Sequence, residues 1–158
     1  ENIEKFKLKE NIIKGIYIKV PNDAPKIKDL YTWLHHQKTE NLQNIEKYSY
    51  QNAVIYEYFG NNWLSLDEIV QKNNIHLENN KHSITSNKLI EVLDKNDFLH
   101  LIYINEVKYI GSTEPLEFAK HKIKPILRNI HRRNFISNFE EELYQTTLKK
   151  GRIKYYNH

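Results

Sequence analysis

The chain has 158 residues, 39% hydrophobic and 12% aromatic, enough for one domain, or a small domain with an appended helix, but not for two independent cores. It contains no cysteine, which excludes disulfides, thiolate zinc sites and cysteine nucleophiles. The formal net charge of +4 is spread along the whole sequence, only a weak hint of nucleic-acid or anionic-membrane contact, and no run is apolar enough to span a bilayer. The chain begins Glu1-Asn2 and contains no methionine, so it is expected to be a processed product or a fragment.

Phe6 to Pro21 reads as a strand, because Ile12, Ile13, Ile16, Tyr17, Ile18 and Val20 are β-branched or aromatic. Gly15 inside it marks a bulge or a close backbone approach, and Pro21-Asn-Asp-Ala-Pro25 stops it. A helix is expected over about Lys26 to His36, with Ile27, Leu30, Tyr31 and Leu34 on one face. A second starts after Thr39 as its cap and runs to about Phe59, closed by Gly60-Asn-Asn62. Ser65 is placed to cap a third helix, Leu66 to about Lys72, with Asp67 and Glu68 in its first turn.

Asn73 to His82 is turn-rich and reads mostly as loop. Thr85 to Asp94 fits either a short helix or a strand. Phe98 to Ile104 is the second strong strand, and Val107 to Ile110 is expected to return after a turn at Asn105-Glu106. After Gly111 to Pro115, helical periodicity runs from Pro115 to Lys150, with Pro125 expected to kink the helix or divide it. Gly151 suits its C-terminal cap, and Arg152 to Tyr156 alternates like a short strand. The sum is an α+β fold with a small mixed or antiparallel sheet packed with helices, followed by a long kinked helix and a terminal strand.

Isolated chemical signals are sparse. His35 and His36 point about 100° apart on a helix and do not share a metal; no metal site and no cofactor is expected. Lys120, Lys122, Lys124, Arg128, Arg132 and Arg133 spread around the long helix, which reads as a solvated face rather than a nucleic-acid interface. Tyr48, Tyr50, Tyr56, Tyr58, Phe59 and Trp63 are too many for one helix face, so some are expected to offer aromatic surface for peptide or protein contact.

Four segments carry a resemblance that spans nearly the whole chain, most persuasively the C-terminal one, where basic residues precede an acidic turn at Glu140 to Glu142, Leu143-Tyr144 and a last Gly-x-Ile strand from Gly151. Glu1 to Leu8 leads by way of Phe6 into the first strand, Ile12 to Val20. Asp97 to Ile104 holds His100 within an aromatic strand, and Ser112 to Phe118 opens the long helix. In this order they resemble the parvulin-type peptidyl-prolyl isomerases, specifically SurA-like periplasmic chaperones. The resemblance implies a parvulin-like (PpiC-like) domain over residues 1–112, and the C-terminal helix and strand of a chaperone core over 113–158.

That family's active site implies two histidines facing each other across the sheet beside an aromatic and aliphatic proline pocket. His100 falls on the second. The first falls on Ile16, or on Tyr17 if the register differs by one, so the catalytic positions implied are Tyr17 and His100. Ile16, Tyr17, Trp63 and Phe98 would line the substrate pocket. The implied function is an envelope chaperone that holds unfolded or proline-containing clients, outer-membrane proteins among them, with isomerase activity weak or absent. An active isomerase using Tyr17 with His100, and a structural adaptor in an envelope assembly, are the alternatives. The resemblance further implies a periplasmic or envelope location, with peripheral association, and a preceding chaperone segment against which Ile136, Phe139, Leu143 and Ile153 would pack. No nucleic-acid partner is expected.

Overall fold

A computed structural model describes residues 6–78 and 83–149, with the backbone alone at 121 and 122. The chain divides into two compact units, with the boundary between Phe118 and Ala119. The first unit is α+β and is built on one antiparallel sheet. Its elements run β1 (Ile12–Pro21), α1 (Ile27–His35), α2 (Thr39–Asn52), β2 (Ile55–Tyr58), β3 (Leu64–Ser65), α3 (Leu66–Lys72), β4 (Lys88–Leu93) and β5 (Phe98–Lys108). The strand order is β2-β1-β5-β4, and β3 pairs with β1 beyond the end of β2.

The isoleucine-rich β1 is central because both of its faces are buried. Ile16, Ile18 and Val20 meet Leu99, Leu101 and Tyr103 of β5 on the face covered by Leu30 and Leu34 of α1 and Ile45 and Tyr48 of α2. On the opposite face Ile13 and Tyr17 join Ile90, Ile102 and Ile104, covered by Leu66 and Ile69 of α3 and by Ile75 of the loop that follows it. A strand buried on both sides reads as a continuous apolar run rather than an alternation, as β1 does.

Gly15 does what its position suggests. The pairing of β1 with β5 shifts between Lys14 and Gly15, and a side-chain carbon at Gly15 would collide with the Tyr103 carbonyl. Ser65 caps α3, its Oγ accepting from the Glu68 amide at 3.2 Å. Thr39 does not act as a cap: it is the first residue of α2, and Lys38 stands at the cap without a side-chain bond.

Three further expectations are revised, and one stretch left open between helix and strand is decided. Helix α2 ends at Asn52, and Ile55–Tyr58 is a strand. Its alternation of Ile55 and Glu57 with two tyrosines found a partner in Ile16 to Lys19 of β1, and cross-strand pairing outweighs the helical reading. Asn105 and Glu106 form no turn, because β5 runs through them to Lys108 and the register shift takes up the extra residue. The ambiguous stretch before Asp94 is strand β4, fixed by its ladder to β5. Phe6 to Asn11 is not strand beyond a single bridge between Lys7 and Thr113.

Helix α4 (Leu116–Lys149) passes through Pro125 without being divided. Along it Ile136, Phe139 and Leu143 are exposed. Ile153, Gly151 and the predicted terminal strand lie outside the described residues.

Candidate functional site

The two-sided burial of β1 and β5 sets Tyr17 and His100 on one face of adjacent strands. In the ladder Tyr17 stands opposite Ile102 and His100 opposite Lys19, so the two rings are diagonal neighbours. They stack with centroids 6.1 Å apart, and Tyr17 Oη lies 2.9 Å from His100 Nδ1. Tyr17 is fully buried and His100 is 1% exposed.

The other ring nitrogen completes a chain. His100 Nε2 lies 3.0 Å from Asp94 Oδ2. Asp94 Oδ1 accepts from the amides of Asn96 at 2.8 Å and Phe98 at 3.0 Å, which shapes the β4–β5 turn in which Asp97 takes a left-handed φ of 64°. The Phe98 amide and then the His100 ring hold the Asp94 carboxyl below its usual range, at about 2. Asp94 is therefore an ionised acceptor, and Nε2 of His100 carries the hydrogen that it accepts. Burial, aided by the charges of Glu57 and Asp94, raises Tyr17, so the phenol keeps its proton. In the neutral ring Nδ1 then accepts from the Tyr17 hydroxyl. The tautomer follows from the two partners.

Above Asp94 and His100 lies a cavity of about 460 Å³ between the loop after α3 and the β4–β5 turn. Ile75, Val92 and Leu93 give it apolar wall; Lys19, Asn73, Asn74 and His76 give it polar wall. The Lys19 ammonium stands 3.9 Å from Asp94 Oδ2 and 4.8 Å above the Phe98 ring, so it is held at the rim from two sides. A volume of this size accommodates a few residues of a peptide or a small molecule.

The structure thus brings together Tyr17 and His100, with Phe98 at the same end of the sheet. It does not bring Ile16 or Trp63 to them. Ile16 points to the opposite face, into the core under α1 and α2. Trp63 packs with Leu8, Ile12 and Phe118, its ring under the ammonium groups of Lys14 at 4.8 Å and Lys108 at 5.8 Å. Asp94 and Lys19 were not singled out from the sequence. The available signal was the Asp94-Lys-Asn-Asp97 turn six residues before a strand histidine, which becomes readable once Lys88–Leu93 is taken as a strand. Among the described residues no group of three or more histidines or carboxylates is placed to hold a metal ion.

In comparisons with protein families, curated proteins and solved structures, nothing matches this chain.

Proposed function

We propose that the first unit is a polypeptide-binding domain of the envelope-chaperone type, holding extended, proline-containing segments of unfolded clients in the cavity above His100, with weak or absent prolyl isomerase activity. The observation that carries this reading is the hydrogen-bonded Tyr17–His100 pair: the resemblance implies two facing histidines on these strands, and here Tyr17 faces His100 in place of the first. Apolar wall from Ile75, Val92 and Leu93 suits client side chains, and Asn73, Asn74 and Lys19 suit the amides of an extended backbone. The periplasmic or envelope setting and outer-membrane clients follow from the resemblance alone. No helix among the described residues is long and apolar enough to cross a membrane.

The same geometry supports weak or absent catalysis. Isomerisation must lower a rotation barrier of about 18–20 kcal/mol by contacts made to a twisted amide. Both ring nitrogens of His100 and the Tyr17 hydroxyl are already engaged and buried, so none is free to contact a bound amide.

The test combines two measurements on the full chain. Aggregation of a denatured outer-membrane protein should be suppressed by the parent and less well by Leu93→Asp, a change at a 53% exposed wall residue. Isomerisation of a proline tetrapeptide should stay at or near its uncatalysed rate. Turnover that Tyr17→Phe abolishes in a folded variant would install the isomerase reading instead. Absence of any suppression by the parent would remove the chaperone reading.

A further inference from the structure

The second half of α4 is built to pair with itself. At about 100° per residue, Phe135, Ile136, Phe139 and Leu143 share roughly 100° of the helix circumference. All four are exposed, Phe135 at 71% and Leu143 at 57%, and the Phe135 and Phe139 rings stack at 6.5 Å into one ridge. Ile123, Ile126, Leu127 and Ile130 form a separate stripe on the opposite side of the axis, so the two halves do not continue one seam.

Charge is arranged around the second stripe in two blocks. Arg128, His131, Arg132 and Arg133 lie on its N-terminal side, and Glu140, Glu141 and Glu142 on its C-terminal side. All of these side chains are exposed, and among the described residues none of them enters an ion pair. In a parallel, in-register pair each block would face its own copy and repel it. In an antiparallel pair with the two-fold axis between Ser137 and Asn138, Ile136 meets Phe139 of the second copy. Leu143 then lies along the aliphatic stem of Arg132, Arg133 faces Glu140 on one flank, and Glu142 faces Arg128 and His131 on the other. Each block thus finds its complement in the other block of the same helix, and a two-fold pairing of this kind closes at two chains.

We propose that two copies of this chain associate through an antiparallel pairing of their α4 helices about Ile136 and Phe139. This pairing goes beyond the client-binding reading and does not depend on it. Across a concentration series in sedimentation equilibrium, the mass of the full chain should rise from one chain to two. Phe139→Ser should hold it at one chain with unchanged far-ultraviolet circular dichroism. Arg133→Glu and Glu140→Arg should each weaken association about tenfold, since each turns two attractive pairs into repulsive ones. Mixing the two single variants should restore it, because both contacts in the mixed pair are again opposite in sign.

Spin labels at Thr147 should lie about 28 Å apart along the pair in the antiparallel arrangement, but side by side in a parallel one. A single-chain mass at every concentration would overturn the proposal, as would a dimer indifferent to the charge variants or one with the Thr147 labels adjacent.

Discussion

Replacing Tyr17 by Phe removes one atom from a fully buried side chain and leaves its ring in place among Ile13, Ile102 and the residues of α3. What changes is His100. Its Nε2 hydrogen still goes to Asp94, but Nδ1, 2.9 Å from the lost hydroxyl, becomes a buried acceptor without a donor. Loss of the bond and the stranded acceptor together cost roughly 1–3 kcal/mol. The void left by one oxygen adds little, and the gain from burying a more apolar ring opposes it. With a urea dependence of about 1–3 kcal/mol per M for a domain of this size, the midpoint should fall by about 1 M at an unchanged slope. Combined with His100→Leu, the two changes should be less costly than their sum, because the second removes the acceptor that the first leaves stranded. A Tyr17→Phe protein that unfolds at the parental urea concentration would refute the assignment of Nδ1 as acceptor, and with it the Tyr17–His100–Asp94 chain.

Gly15→Ala should lower the thermal midpoint by roughly 5–10 °C, since the added carbon meets the backbone carbonyl of Tyr103 and only separation of β1 from β5 relieves it; a midpoint within a degree of the parent would show that the bulge yields freely. Acid should destabilise the fold through Asp94: its folded value of about 2 lies below the unfolded 3.8, so its contribution is present above pH 3.8 and is lost as pH falls toward 2. Asp94→Asn should flatten the stability profile in that window, and parallel profiles for variant and parent would count against the turn and histidine contacts as its cause.

Much of the first unit is legible in the local sequence. The β-branched density of Ile12 to Val20 and Phe98 to Ile104 marks strands in any context, and Gly15 announced a close approach because nothing else in that run lacks a side chain. Ser65 with Asp67 and Glu68 is a local capping signal, and the structure satisfies it locally. Elsewhere a distant partner decided. Ile55–Tyr58 is too short to declare itself and is a strand because β1 offers it an edge. Asn105 and Glu106 look like a turn by composition, but Glu106 pairs with Lys14 and a bulge absorbs Asn105, because β1 pairs with β5 on both sides of it.

The candidate site divides in the same way. Sequence placed Tyr17 and His100 on two buried strands, and β periodicity set Ile16 and Tyr17 on opposite faces. It could not say which face His100 shares, because a one-residue change in the pairing of β1 with β5 would exchange Ile16 for Tyr17. That register is set by the bulge at Gly15 and by the packing of α1, α2 and α3 on the two faces, contacts between residues far apart in the chain. Asp94 joins the network only because the β4–β5 hairpin folds it back onto His100, six residues along. Local sequence determined the elements and their buried faces through side-chain shape and backbone preference. Tertiary packing alone decided the register, and so which polar groups meet inside the fold.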